Sequence, residues 1–219
     1  MLCPLCQNSH VQIIRHQQFD SRQFWHCQNC DMIFVDQKDH PTPEQEKQRY
    51  STHQNNFADQ GYIDFLQKLT NPLLKVLKEK KVSLDEAFQV LDYGCGPGPI
   101  LPQVLQQQSF QVQLYDLYFY PQTSLLQKKW DLIISTEVFE HFRQPGFETN
   151  KIISLLKKNG FLAVMTSFHQ GPEHFKNWWY ARDLTHLCFY SEKTLSWLSL
   201  RWGLRILLQE NPVVIFQKV

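Results

Sequence analysis

No stretch of this sequence approaches the roughly 18–20 consecutive apolar residues that span a bilayer. Its apolar runs are as short as Phe161 to Met165. The start, Met1-Leu2-Cys3-Pro4-Leu5-Cys6, lacks the basic-then-apolar pattern of a signal peptide. The expectation is a cytoplasmic protein with no membrane partner. An excess of one charge is also missing. Lys and Arg number 22 against 21 Asp and Glu, a formal net charge of +1. A polyanion binder shows a stronger basic bias, so this balance counts against nucleic acid as a partner. Glycine (8) and proline (11) are too few for a collagen-like or linker-like chain. What remains is ordinary globular composition over 219 residues, enough for one α/β domain and a small module.

Six cysteines are present. In a reducing compartment they serve metal binding or packing rather than disulfides. Cys3-Pro4-Leu5-Cys6 and Cys27-Gln28-Asn29-Cys30 are two CxxC pairs with 20 residues between them. Each pair sets two thiolates on one turn, and two facing turns close a tetrahedral S4 site. Val11 to Arg15 and Gln23 to His26 read as short strands between them. Residues 1–40 are therefore expected to form a zinc ribbon holding one structural ion on Cys3, Cys6, Cys27 and Cys30. The plain alternative is four buried thiols or a redox pair. His10, His16 and His26 are left for the surface or packing, because four thiolates fill the shell. A module of this size lacks a core of its own and needs its metal to fold. It carries three basic residues against four Asp, so it has no basic face for nucleic acid and fits a scaffolding role better.

Residues 41–84 read as a helical linker or lid segment. Thr42-Pro43-Glu44-Gln45 is a helix start, with Thr42 as N-cap, Pro43 at N1 and Gln45 closing a capping box. That helix runs through Tyr50. Asp59 to Thr70 reads as a second helix, and Asn71-Pro72 as the start of a third with Leu73, Leu74, Val76 and Leu77 on its apolar face. The polar stretch Arg49 to Asn56 is either a solvated loop or a lid facing substrate.

From residue 85 the pattern turns α/β. Phe88 to Gly94 is a buried-strand run, followed by Gly94-Cys95-Gly96-Pro97-Gly98 and a helical stretch to about Gln108. Strand, glycine loop and helix is a nucleotide-type turn, in which backbone approaches a ligand closely. The GxGxxG form fails, because its third glycine falls at Pro99. What stands is DxGxGxG from Asp92, which suits a ligand with a cationic amino-acid tail. Val112 to Tyr115 ends in Asp116, placed to accept from both ribose hydroxyls of an adenosine. Asp131 to Ser135 is a further strand leading into Thr136-Glu137-Val138-Phe139-Glu140-His141. A helix from about Phe147 to Lys158 ends on Asn159-Gly160, and Phe161 to Thr166 is the next strand. Ser191 caps a last helix. Arg205 to Glu210 and Val213 to Lys218 form a closing hairpin around Asn211-Pro212.

These blocks resemble the class I S-adenosylmethionine-dependent methyltransferases: Val90 to Gly98, Asp116, Asp131-Leu132-Ile133 with Glu137-Val138-Phe139-Glu140-His141, and Leu155 to Leu162. Each alone is weak; four in order at these spacings over residues 85–219 are specific. With its ribbon the chain is similar to a bacterial group of these enzymes. The resemblance implies a Rossmann-like sheet of seven strands, with the methionine tail of the cofactor on the Gly94–Gly98 loop and Asp116 on the ribose. Only 14 residues separate Asp116 from Asp131, so the third-strand region is shortened, with at most a stub strand over 120–126. Leu125 and Leu126 are then the expected contacts of the adenine. The cofactor-binding set is Asp92, Gly94, Cys95, Gly96, Gly98, Asp116, Leu117, Leu125, Thr136 and Glu137.

Methyl transfer from a sulfonium needs alignment first, and a base only where the acceptor loses a proton. His186 is the first candidate for that base, His141 the second; Glu137 is placed to face the sulfonium or the acceptor, and His53 could reach in from the lid. The aromatic cluster Trp178 to Leu187 follows the fifth strand and either lines an acceptor pocket or packs. The favoured reading is transfer to a small-molecule acceptor. Alternatives are a methyltransferase acting on protein or RNA with the ribbon as reader, and a non-catalytic cofactor-binding scaffold. Cys95 and Cys188 are assigned no nucleophilic role.

Overall fold

The computed structural model describes residues 1–15, 21–52, 59–105 and 111–219. His16 and His53, the second half of the Arg49–Asn56 stretch, and the end of the helix expected to reach Gln108 lie outside those residues.

Two sheets organise the chain. The first contains β1 (Val11–Ile14), β2 (Phe24–Cys27) and β3 (Ile33–Val35), joined antiparallel, with a fourth strand, β8 (Cys188–Phe189), from far along the sequence. The second has the order β5-β4-β6-β7-β10-β9, built from β4 (Val90–Tyr93), β5 (Val112–Tyr115), β6 (Trp130–Thr136), β7 (Leu156–Met165), β9 (Leu204–Glu210) and β10 (Val213–Lys218). β5, β4, β6 and β7 run parallel, while β10 pairs antiparallel with both β7 and β9.

Period-two alternation sends the residues of this sheet to two cores. Val90, Leu132, Ile134, Ala163, Met165, Val213 and Ile215 face one core, with Leu69, Leu73 and Leu77 of α2 (Gln60–Glu79). Leu91, Tyr93, Ile133, Leu162, Val164, Val214 and Phe216 face the other, with Cys3, Leu5, Phe24, Met32 and Ile33. The first forty residues therefore share a core with the α/β sheet rather than lacking one. Helices on both faces explain why the parallel strands read as unbroken apolar runs.

At element level the shortened third-strand region is met and two helices differ from expectation. Among the described residues the sheet has six strands, the shortened third-strand region supplying none of them: Tyr120 makes only an isolated bridge with Asp116, and Thr123–Gln127 is a 3₁₀ turn. α2 is one helix across Pro72, where two were expected. Proline inside a helix costs about 3 kcal/mol, but Leu66 and Leu69 before it and Leu73, Val76 and Leu77 after it are all buried on one stripe, which offsets that cost. The helix expected to reach Lys158 is α4 (Pro145–Leu155), because Leu156 already pairs with Trp130 as the start of β7. Asn159 then takes φ 63° in an irregular stretch of that pairing. Among the described residues, the helix after the glycine loop is α3 (Leu101–Val104). No helix among the described residues is long and apolar enough to cross a membrane.

Candidate active site

The glycine loop leaves the C-terminal end of β4, the middle of the parallel sheet, where α/β folds bind ligands. Gly94 has φ 87° and Gly96 φ 67°, left-handed values that favour glycine. A Cβ on Gly94 would lie 2.4 Å from Val138 Cγ2, so the loop is pressed against the turn after β6. A Cβ on Gly96 would meet nothing within 4 Å among the described residues, so that side of its backbone is open. Gly98 has no left-handed φ. The Cys95 thiol is buried against its own loop, and burial holds it protonated.

Asp92 is buried, and its Oδ1 has no hydrogen-bond partner among the described residues. Burial, with the Asp116 carboxylate nearby, pushes its pKa up to about 7. Asp116 ends β5 and is held by backbone: Oδ2 accepts from Gly96 N at 3.0 Å, and Oδ1 accepts from Tyr118 N and Phe119 N at 2.8 and 3.0 Å. Leu117 beside it is exposed. Leu125 is 1% exposed in the sheet's core, and its carbonyl accepts from the Trp130 indole N–H at 3.2 Å. Leu126 packs against the same core.

β6 ends in Thr136, and Glu137 follows at φ 53°, an uncommon value for a residue with a side chain. Its N–H is fixed on Met165 O at 2.8 Å. The 3₁₀ turn Phe139–His141 then brings Glu140 inward, fully buried. Tyr180 Oη lies 2.6 Å from Glu140 Oε1 and 3.1 Å from Glu137 Oε2, so one phenol lies between a buried carboxylate and a half-buried one. Burial and the neighbouring Glu140 push Glu137 up to about 9.

His186 comes from a segment 45 residues later in the chain, and its ring centroid is 4.9 Å from that of His141. Burial lowers the His186 pKa to about 4. Tyr50, on α1 (Pro43–Ser51), places its ring 5.1 Å from His141 and 5.9 Å from Tyr118. α1 begins with the capping box of Thr42 and Gln45 and is docked through buried Glu46, which accepts from Tyr118 Oη at 2.9 Å and pairs with Arg143 at 2.8 Å. Tyr62, near the start of α2, feels the charges of both Asp92 and Glu137, and its pKa rises to about 12 chiefly through burial.

Thus Glu137, His141 and His186 converge beside the glycine loop. Sequence reasoning missed Tyr50, Tyr180 and a separate role for Glu140. Tyr50 lay in the polar stretch considered as a lid, and Tyr180 in the aromatic cluster, but their spacing carries no sign of where they meet.

The four cysteines of the first sheet also converge. Cys3 Sγ is 3.6 Å from Cys30 Sγ, Cys6 Sγ is 3.5 Å from Cys27 Sγ, and all four lie within 4.8 Å of one another. A tetrahedral zinc with bonds near 2.3 Å holds its sulfurs roughly 3.8 Å apart. The donor set and spacing fit that ion.

Known proteins can be set beside this geometry. The family described as a methyltransferase domain matches residues 45–209. No curated protein matches the chain. Magnesium protoporphyrin IX methyltransferase from Synechocystis PCC 6803, solved with bound S-adenosylhomocysteine, superposes with a TM-score of 0.50 at 14% identity, over 81% of this chain and 95% of that one. An O-methyltransferase family protein from Burkholderia thailandensis gives 0.50 at 13% identity, over 82% and 64%. At these identities the likeness is one of fold.

Proposed function

Because the chain belongs to the methyltransferase-domain family, and so uses S-adenosylmethionine, we propose that it methylates a small-molecule acceptor held between the glycine loop and the Glu137–His141 turn. The carrying observation is the pairing of a bare buried carboxylate oxygen on Asp92 with the open backbone at Gly96. A cationic ammonium would satisfy that oxygen, and the Gly94–Gly98 loop would take the rest of the amino-acid tail. Asp116, oriented by three backbone N–H groups, would accept from the ribose hydroxyls. The bound cofactor supplies an electrophilic methyl on a sulfonium. The protein's own part is to align the acceptor and exclude water. Tyr50, His141 and His186 form an aromatic wall for it, and Tyr180 fixes the two carboxylates behind.

In the same reading Cys3, Cys6, Cys27 and Cys30 hold one structural zinc. The sheet of residues 1–40 then acts as a scaffold rather than a reader of protein or RNA. Supporting this, β3 pairs with β8 two residues beyond His186, and Val35 N donates to Leu187 O at 2.9 Å.

The test is transfer of labelled methyl from S-adenosylmethionine into fractionated bacterial extract. Label is expected in the small-molecule fraction; label in protein or RNA would overturn the choice of acceptor. Asp116→Ala is expected to weaken cofactor binding by at least tenfold. Unchanged binding would overturn the ribose assignment.

A further inference from the structure

Glu140, His141 and His186 each offer one ligand atom within 4.8 Å of the others. The hydrogen bonds around them show which ring nitrogens stay free for a ligand. His141 Nδ1 lies 2.8 Å from Thr185 O, and His186 Nδ1 lies 2.7 Å from Tyr180 O. A carbonyl oxygen only accepts, so each Nδ1 carries its proton and donates. Each neutral ring is then left with a lone pair on Nε2. Glu140 Oε1 accepts from Tyr180, while Oε2 is buried without a partner among the described residues. A buried carboxylate oxygen beside two imidazoles whose Nδ1 protons are committed to backbone carbonyls lacks a donor, which is costly. Metal-ligating histidines are held in this way, with the second ring nitrogen donating to a backbone carbonyl.

We propose that Glu140, His141 and His186 bind one divalent cation beside the glycine loop, with Glu137 as the adjoining carboxylate. Two imidazoles and a carboxylate suit a first-row ion such as Mn²⁺, Fe²⁺, Co²⁺ or Zn²⁺. Bonds of about 2.1 Å set ligand atoms roughly 3.0–4.2 Å apart, close to the 4.8 Å within which the three residues already offer theirs. Backbone hydrogen bonding prepares it: Leu187 N donates to Glu140 O at 2.7 Å, tying the segment that carries His186 to the turn that carries the other two ligands.

Three protein ligands leave coordination positions for a substrate. The acceptor class that uses them is a hydroxyl compound, an extension that rests on the methyl-transfer reading above. Bound to the cation, the hydroxyl releases its proton to solvent at a lower pH than free. The oxygen lone pair then forms the O–CH₃ bond as the S–CH₃ bond breaks, and that electron pair stays on sulfur. This cation is distinct from a zinc on the four thiolates, which share no residue with it.

The test titrates zinc-replete protein with Mn²⁺, followed by loss of the free-ion electron paramagnetic resonance signal, and with Co²⁺, followed by visible absorption. One ion per chain beyond the thiolate site is expected, with no thiolate-to-cobalt band. Glu140→Gln and His186→Gln should each weaken it at least tenfold with zinc content unchanged. His141→Gln, at a half-buried position, covers the case in which the two buried variants fail to fold. No uptake of either ion, or uptake equal in folded variants and wild type, would overturn the site. Cofactor binding is measured separately on the same protein before Mn²⁺ or Co²⁺ is added. Cation uptake without cofactor binding would sink the methyl-transfer reading and leave the site standing; cofactor binding without cation uptake would do the reverse.

Discussion

Asp92 carries an ionisation problem that its proposed ligand solves. Its carboxyl is buried and faces Asp116, Cys95 and Tyr62, none of them cationic. With a folded pKa of about 7 against an ordinary 3.8, the folded state binds the extra proton between those two values. Stability of the ligand-free protein from this residue therefore falls as pH rises from about 4 to 7, by roughly 4 kcal/mol in order of magnitude. Asp92→Asn removes that loss. Its melting temperature should exceed that of wild type by a margin that widens from pH 5 to pH 8, while its cofactor affinity drops; a constant margin would refute the burial argument. In wild type, an ammonium beside Asp92 favours the ionised form, so cofactor binding at pH 6 should release a proton. Calorimetry in buffers of different ionisation enthalpy measures this. Gly94→Ala faces both φ 87° and the Val138 side chain at 2.4 Å, and should cost about 1–3 kcal/mol of stability together with cofactor binding. Asp92, Gly94 and Asp116 were legible because one contiguous motif and a strand end carry them. Tyr180 and Tyr50 were not, because a phenol's partners are set by folding and leave no period in the sequence.

Among elements, those specified by local chemistry were the readable ones. The Thr42 capping box, the Ser191 cap and the Asn211-Pro212 hairpin stand where the sequence put them. β8 was invisible, since a two-residue strand has no alternation to detect, yet it completes the first sheet. The packing of the Cys3–Cys6 turn on α4 was equally hidden. It depends on Gly146, where a Cβ would sit 2.6 Å from Leu5 O and 3.1 Å from Pro4 O. Both are backbone atoms and cannot swing aside. Gly146→Ala should therefore lower stability by about 1–3 kcal/mol, read from chemical denaturation, and leave the helix propensity of α4 no worse. Arg22 makes a second junction. Its guanidinium donates to the carbonyls of Ala181, Asp183 and His186 and lies 5.1 Å over the Phe24 ring. Arg22→Met leaves those carbonyls short of a donor, at about 1–3 kcal/mol. The loss should be larger in methyl-transfer rate than in cofactor affinity, because the disturbed segment carries His186 and not the glycine loop. Equal losses would show that Arg22 supports the fold alone.

At the scale of the whole molecule, the placement of the four cysteines makes one further expectation concrete. A ribbon tethered by a loop would melt separately when its metal is removed. Here Cys3, Cys27 and Cys30 belong to the same buried cluster as Ile133, Leu162, Val164 and Phe216 of the central sheet. Asp31, directly after Cys30, accepts from Ser191 Oγ at 2.6 Å, and its carbonyl accepts from His169 Nε2 at 3.0 Å. Loosening the knuckles therefore exposes one face of the sheet that positions Glu137 and Glu140. Cys27→Ser, or zinc removal with a strong chelator, should lower the single calorimetric transition of the protein rather than split it in two. Cofactor affinity should decline with it, although no cysteine of the cluster belongs to the glycine loop. A resolved low-temperature transition, with cofactor binding retained above it, would mean that the sheet of the first forty residues folds apart from the α/β core. In that case the contacts from β3 to β8 are a docking of two units and not the support of the site.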